Sequence, residues 1–165
     1  MYDDMTKEDI QKIQEEIEHR KMVVRPEAIQ AVKEARAHGD LSENFEYHAA
    51  KQFKNQNESR IRYLERMIRD AWIVEDDPDS DRVGLNKTVR LYFEDEGEED
   101  TYSFVTTVLV DAMENRLSIE SPLARALKGH AVGDKVYVEV NPDLGYYVVI
   151  KSIEPFEDDV PLRGF

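Results

Sequence analysis

The sequence predicts an α+β protein in which an N-terminal antiparallel α-helical coiled-coil hairpin precedes an antiparallel β-sheet with one short helix. Apolar residues recur at helical spacing up to residue 71, an acidic segment containing a proline follows at 75–81, and β-branched and aromatic residues alternate after it. The predicted domains are a hairpin at 1–75 with its tip near 38–46, an acidic linker at 76–82, a folded domain at 83–155 and a flexible tail at 156–165.

The first helical segment runs from about Met5 to Met22, with Thr6 as a plausible N-cap. Pro26 interrupts it, but proline is tolerated at the first position of a new helix, so we expect a break or kink near Arg25. The apolar stripes are Ile10, Ile13 and Ile17 before the proline, and Ala28, Ile29, Val32 and Ala35 after it.

A second, longer helix follows the tip. Apolar residues step by three or four for almost thirty residues, the seam expected of a coiled coil, and the tight turn before them predicts antiparallel pairing with the first segment. Asn57 interrupts this seam and is expected to fix its register. The seam positions are Phe45, Ala49, Phe53, Asn57, Ile61, Leu64, Ile68 and Ala71.

The second half reads as short strands separated by turns. A helix at Pro122–Leu127 is predicted because Ser121 suits the cap, Pro122 the first turn and Gly129 the end. An antiparallel sheet with one small helix is the simplest architecture. The predicted strands are 88–93, 101–110, 117–119, 135–140 and 146–153.

Charge is distributed unevenly. Residues 1–74 carry 13 Lys/Arg against 15 Asp/Glu, whereas residues 75–165 carry 9 against 21, a balance of −12. Since nucleic-acid affinity depends on cations that contact phosphates, any such contact is expected in the first half. The chain has no cysteine, no long apolar run and no signal-peptide pattern at its start, so we expect a cytoplasmic protein without membrane contact, monomeric when free.

The tip contains the acids Asp40, Glu43 and Glu46 at spacings of three, which would share one side of a helix that begins near Asp40. One interpretation is structural, because Asp-x-x-Glu at a helix start is a capping arrangement. The other is a Mg²⁺ site, since this ion prefers carboxylate oxygens. Two acids on an exposed tip hold Mg²⁺ weakly, so a phosphate-rich partner would complete the site.

The stretch Ala35-Arg36-Ala37-His38-Gly39-Asp40-Leu41-Ser42-Glu43-Asn44-Phe45-Glu46-Tyr47 closely resembles the hairpin tip of bacterial transcript cleavage factors of the Gre family. The resemblance continues at Ser118–Leu127 and at Val132-Gly133-Asp134 and covers roughly residues 5–154. It implies a C-terminal domain shaped like the FK506-binding (FKBP) prolyl isomerases. It also implies that this domain docks on bacterial RNA polymerase while the hairpin enters the polymerase secondary channel.

The resemblance also implies roles for individual residues. Asp40 and Glu43 would hold the second catalytic Mg²⁺ in complex with polymerase, which would then cleave its own backtracked transcript. The chain would thus supply ligands and would not itself be an enzyme. The remaining candidates are Tyr47, Lys51 and Lys54 for the nascent RNA 3′ end or for positioning the tip, and Ser121, Pro122 and Arg125 for polymerase docking.

Most of these candidates also have a structural interpretation: Tyr47 as interhelical packing, the two lysines as a solvated face, and Ser121 and Pro122 as a helix cap and first turn. The main functional alternative is a Gre-like protein that enters the channel and inhibits polymerase without promoting cleavage. A prolyl isomerase is the third, but the sequence of the second half indicates no aromatic-lined pocket. His38 and His48 are expected to be surface or packing residues.

Overall fold

The computed structural model describes residues 3–39, 44–157 and 160–164. The chain separates into two compact units, a helical unit that contains Glu8–Trp72 and a second unit that contains Ile73–Gly164 together with Asp4–Lys7. The predicted order, a helical hairpin followed by a sheet domain, is confirmed.

The first arm of the hairpin consists of α1 (Lys7–His19), a π-helical segment (Arg20–Val24) and α2 (Arg25–Arg36). The disturbance predicted near Arg25 is therefore a widened turn rather than a break. Pro26 has no N–H to donate to the carbonyl four residues earlier, and its ring crowds that carbonyl. A π-helical turn absorbs this mismatch without ending the helix.

The second arm is α3 (Phe45–Arg69), whose 25 residues give a length of roughly 37 Å at ~1.5 Å per residue. It ends two residues earlier than predicted, because Ala71 begins the short strand β2 (Ala71–Ile73). β2 pairs with β1 (Asp3–Met5) in a two-stranded sheet that the sequence did not indicate.

The seam of α3 differs from the prediction in the half near the tip. Phe45 is 87% exposed, Phe53 is 50% exposed and Ala49 is exposed. Repeated steps of four residues drift around a helix, whereas alternating steps of three and four keep one face toward a partner. The positions that follow this alternation are all partly or fully buried: Tyr47, Ala50, Lys54, Asn57, Ile61, Leu64, Ile68 and Ala71.

Asn57 links the two arms as predicted for a residue that fixes register. Its side chain is 2% exposed, accepts a hydrogen bond from the Arg20 guanidinium at 3.0 Å and donates to the Arg20 carbonyl at 3.3 Å. Arg20 lies in the π-helical segment, where its carbonyl also accepts the N–H of Arg25. A shift of α3 along the first arm would break these bonds.

The second unit contains one five-stranded sheet in the order β5-β4-β3-β7-β6. Its neighbours are antiparallel except β4 and β5, which are parallel. The predicted antiparallel sheet is confirmed except for this pair, where residues 107–114 form two 3₁₀ turns instead of extending β4. The strands are β3 (Lys87–Phe93), β4 (Glu98–Val105), β5 (Arg116–Ser118), β6 (Lys135–Asn141) and β7 (Leu144–Pro155).

One helix, α4 (Pro122–Leu127), contributes to the core on one face of this sheet. Leu123, Ala124 and Leu127 supply its buried side chains. A curled, mostly antiparallel sheet with one short helix is the FKBP-like architecture that the resemblance implies. The fully or almost fully buried strand residues of this core include Val89, Leu91, Phe104, Val138, Val148 and Ile150.

The acidic segment before β3 and the segment after β7 make contacts within the second unit. The buried Lys87 ammonium donates to the carbonyls of Pro78 at 3.0 Å and Ser80 at 2.7 Å. In the described part of the tail, the backbone N–H of Arg163 donates to the carbonyl of Val108 at 2.6 Å. Both segments are thus attached to the sheet domain at these points.

Candidate functional site at the hairpin tip

The turn between the two arms begins after α2 and includes Gly39, whose φ of +114° is a backbone conformation that other residues rarely adopt. The predicted metal ligands Asp40 and Glu43 follow it and lie outside the described residues. The structure describes the residues on either side of Asp40 and Glu43, and the contacts of those residues show how the turn is held together.

Asn44 is the N-cap of α3. Its side-chain oxygen accepts the backbone N–H of Tyr47 at 3.0 Å, and its side-chain nitrogen donates to the carbonyl of Ala35 in the opposite arm at 2.7 Å. The prediction that Asp40 caps the second helix is therefore wrong, because α3 begins at Phe45. The Asn44 side chain therefore caps the N-terminus of α3 and also links the two arms by a hydrogen bond.

Glu46, the third acid of the predicted cluster, lies in the first turn of α3, where a carboxylate is favoured by the helix dipole. Its carboxylate lies 3.0 Å from Nδ1 of His38, although both side chains are mostly exposed. The other two acids, Asp40 and Glu43, lie outside the described residues, so the expectation that the three share one side stays a prediction.

Tyr47 lies half-buried between the arms, as its structural interpretation expected. The guanidinium carbon of Arg36 lies 5.7 Å from the centre of its ring, and the His48 ring meets it edge-on at 5.4 Å. Lys51 is exposed on α3, whereas Lys54 is half-buried at a seam position. The two lysines therefore do not form one open basic face.

Ion pairs below the tip hold the acids of the hairpin against its bases. Arg25 contacts both carboxylate oxygens of Glu58 at 3.0 and 2.8 Å, and Lys21 pairs with Glu65 at 2.8 Å. The hydrogen bonds from Arg25 lower the pKa of Glu58. Both pairs join a base of the first arm to an acid of α3, so they link the two arms.

Glu16 in α1 joins the same set of contacts. It accepts hydrogen bonds from Arg60 of α3 at 2.8 and 3.3 Å and from Arg20 at 2.8 Å. Burial alone would raise the pKa of Glu16, but these hydrogen bonds outweigh that effect and lower it. The carboxylate is therefore ionised at neutral pH and links both arms.

The predicted docking residues lie around α4. Ser121 accepts the N–H of Ala124 at 3.3 Å, which confirms its role as a helix cap, and Pro122 occupies the first turn. Arg125 is exposed and pairs with Glu120 at 2.9 Å. Arg125 and Glu120 also line a cavity of about 620 Å³ in the second unit.

The structure has an aromatic-lined cleft that the sequence did not indicate. Its volume is about 400 Å³, and its lining includes Phe93, Tyr146 and Tyr147. The side chains come from β3 and from β7, which are about fifty residues apart in the chain but paired in the sheet. Only the strand register could have revealed it.

Within residues 3–39, 44–157 and 160–164, no three acidic or histidine side chains come together as a metal-ion cluster. In the same residues no helix has the length and apolar character needed to span a membrane.

Comparison with known proteins identifies both halves of the chain. The N-terminal domain of the GreA/GreB transcription elongation factors matches residues 4–73, and their C-terminal domain matches residues 77–155. Transcription elongation factor GreA of Geobacillus kaustophilus is 46% identical over 136 residues, which span 82% of this chain and 86% of that protein. GreA of Bacillus subtilis is 43% identical over 135 residues, with the same coverage.

Similarity to solved structures is weaker. GreA factor homolog 1 of Thermus thermophilus has a TM-score of 0.43 at 25% identity, over 93% of this chain and 99% of that one. The predicted resemblance to the Gre family, and to its GreA members in particular, is confirmed by the two domains and the named relatives.

Proposed function

The chain belongs to the GreA/GreB family of transcription elongation factors, and we propose that it inserts its hairpin into the secondary channel of bacterial RNA polymerase and stimulates transcript cleavage. The observation that carries this proposal is the sequence of the tip, where Asp40 and Glu43 connect Gly39 to Asn44. The polymerase cleaves the backtracked RNA, and this chain supplies ligands to it.

The contacts around the tip support a ligand role for the two acids. Asn44 caps α3 and Glu46 pairs with His38, so neither cap nor cross-link requires Asp40 or Glu43. Carboxylates are suitable donors for Mg²⁺, and a site with few protein ligands relies on waters and substrate phosphates. The donor chemistry therefore fits an ion shared with the polymerase and the nascent RNA 3′ end.

When bound, Mg²⁺ supplies charge stabilisation for the attacking and leaving oxygens of phosphodiester hydrolysis. The residues of this chain position two carboxylates at the tip of the helical hairpin. Asn44 fixes the start of α3, and the contacts of Asn57 and Glu58 fix the register of the arms below it.

Charge supports the same interpretation. Residues 1–74 carry 13 Lys/Arg against 15 Asp/Glu, so the hairpin has little net charge to oppose its approach to RNA. The second unit, with most of the net negative charge, is instead suited to a protein surface. We assign polymerase docking to Ser121, Pro122 and Arg125, and contact with the RNA to Lys51 and Lys54, with Tyr47 positioning the tip.

The test is transcript cleavage in a backtracked elongation complex of bacterial RNA polymerase. Asp40→Asn and Glu43→Gln each remove one ionised ligand with almost no change of size. We expect each to lower stimulated cleavage by at least about tenfold, equivalent to ~1.4 kcal/mol, while polymerase binding is unchanged. Full stimulated cleavage by both variants would contradict the ligand role.

Glu46→Gln is the matched control, because it removes the same charge from the same tip at a residue that pairs with His38. We expect it to retain most of the stimulated cleavage. The alternative, a channel inhibitor, predicts a different result for the unaltered protein: slower elongation with no gain in cleavage at any Mg²⁺ concentration.

A further inference from the structure

The aromatic-lined cleft of the second unit lies apart from the residues assigned to polymerase docking. α4 has six residues and is only about 9 Å long, whereas β7 has twelve residues and is much longer, so the helix leaves part of the sheet face uncovered. The cleft lies by the β3–β4 and β6–β7 turns. Its lining is Phe93, Asp95, Glu96, Val140, Leu144, Gly145, Tyr146 and Tyr147.

The apolar side chains of this region are unusually exposed. Val140 is 57% exposed and Leu144 58%, and Phe93 and Tyr146 are only partly buried at the edge of the core. Isolated exposed apolar residues are common, but several together around a concavity are typical of an interaction surface.

Backbone hydrogen bonds hold the turn that carries the two acids at the rim of the cleft, Asp95 and Glu96. The carbonyl of Phe93 accepts the N–H of Gly97 at 2.9 Å, and the N–H of Glu94 donates to the carbonyl of Tyr147 at 3.2 Å. Asp95 and Glu96 lie within this fixed turn. Across the described part of the chain, neither of these two has an ion-pair partner.

On the opposite face of the sheet, the protein binds one of its own cations through the same kind of chemistry. The ammonium of Lys135 lies 4.8 Å from the ring centre of Tyr147 and 3.0 Å from the carboxylate of Glu94. An aromatic face next to a carboxylate attracts a cation by both cation–π and ionic interactions. The cleft offers a second such combination, with Glu96 beside Tyr146.

We infer that this cleft is a docking site for a protein segment that carries a lysine or arginine next to an apolar side chain. The apolar side chain packs against Phe93 and Tyr146, and the cation lies against the acidic rim of Asp95 and Glu96. Burial and the charge of Glu96 raise the pKa of Tyr146, so its phenol is uncharged at neutral pH. Nucleic acid is excluded as the occupant, because its phosphates would meet the acidic rim.

The experiment uses the full chain labelled with ¹⁵N and an eight-residue peptide of alternating lysine and valine with blocked ends. We expect saturable amide shifts in residues 93–97 and 140–147. A peptide in which glutamate replaces lysine should produce none. Equal binding of the acidic peptide, or the absence of saturable shifts in these residues, would overturn the inference.

A double variant, Asp95→Asn with Glu96→Gln, removes the acidic rim, and we expect it to weaken binding by about tenfold. The matched control, Glu154→Gln with Glu157→Gln, removes the same charge near the opposite end of β7 and should change the affinity less than twofold. Equal weakening by the two double variants would show general charge attraction instead of a site. None of these residues belongs to the hairpin tip, so the outcome is independent of the cleavage assay.

Discussion

Replacement of Asn44 by alanine is expected to loosen the tip of the hairpin while the rest of the protein stays folded. The Asn44 side chain accepts the N–H of Tyr47 at 3.0 Å and donates to the carbonyl of Ala35 at 2.7 Å. Alanine removes both bonds, and no other cap of α3 is present among the described residues.

The magnitude follows from these two bonds. Loss of an asparagine N-cap costs about 1 kcal/mol. Loss of the bond to the Ala35 carbonyl costs about 1 kcal/mol more, the usual net value for a hydrogen bond within a protein. Together they lower the free energy of opening the first turn of α3 by about 2 kcal/mol, which corresponds to an opening equilibrium roughly 30-fold larger.

Amide hydrogen exchange measures this opening directly. The Tyr47 amide, whose N–H is bonded to the cap, should exchange roughly 30-fold faster in Asn44→Ala, whereas amides near the buried Ile61 should be unchanged because local openings are separate from global unfolding. Asn55→Ala, at an exposed position of the same helix, is the control. If the proposed function holds, cleavage should fall several-fold with polymerase binding intact.

Asn44→Asp tests the two hydrogen bonds of Asn44 separately. An aspartate still accepts the Tyr47 N–H, and its charge is favoured at a helix N-terminus, but it cannot donate to the carbonyl of Ala35. We expect the Tyr47 amide to stay within about threefold of its original exchange rate. A rate in Asn44→Ala that also stays within about threefold would refute the reasoning, because the cap would then contribute almost nothing.

Two further substitutions test contacts elsewhere in the chain. Because hydrogen bonds from Arg60 and Arg20 lower the pKa of Glu16 below its ordinary 4.5, the stability it contributes is complete above that pH and is lost as the pH falls through the lowered value. Glu16→Gln should therefore cost about 2 kcal/mol of unfolding free energy at neutral pH and progressively less as the pH falls below 4.5; a difference that does not depend on pH would contradict this. Gly145→Ala should cost about 1–3 kcal/mol, because its new Cβ would meet the Tyr137 hydroxyl and lie 2.7 Å from the Val138 carbonyl, whereas Gly84→Ala meets nothing within 4 Å and serves as the control in thermal unfolding.

The helical hairpin was predictable because long amphipathic patterns determine element type. The error in the seam has a definite cause: Phe45, Ala49 and Phe53 are spaced by four, which looks helical locally but rotates away from the partner helix. Alternation of three and four identifies Tyr47 and Lys54 instead, but neither is an obvious core residue. The prediction chose the most hydrophobic residues, whereas the spacing of three and four residues identifies the positions that face the partner helix.

The cap was mispredicted for a different reason. Asp40 and Asn44 are both good N-cap residues, and Asp40 has a glutamate three positions later, which completes a capping pattern. Local chemistry does not separate the two candidates. The contact that favours Asn44 is its bond to Ala35, nine residues earlier, and such a contact depends on how the two arms pair.

In the sheet domain, the strands and α4 could be predicted from local sequence patterns, but which strands lie next to each other in the sheet could not. Pairing of β4 with β5 is parallel because two 3₁₀ turns intervene, and nothing in the strand residues themselves specifies this. The aromatic cleft was missed in the same way. Phe93 and Tyr146 lie at a ring-centre distance of 5.8 Å only because β3 and β7 are adjacent.

The position of the cap bears on how the cleavage variants are to be understood. If Asp40 capped α3, Asp40→Asn would disturb both the fold and the metal site. A loss of cleavage would then not show which of the two disturbances caused it. With Asn44 as the cap, substitution of Asp40 or Glu43 should leave the Tyr47 amide protected and the melting temperature within about 2 °C, since surface substitutions away from such structural contacts usually change stability by less than ~0.5 kcal/mol. Normal exchange at Tyr47 combined with lost cleavage therefore assigns the defect to the carboxylates themselves. Faster exchange at Tyr47 in Asp40→Asn would show instead that this residue supports the helix, and its cleavage defect would then say nothing about a metal.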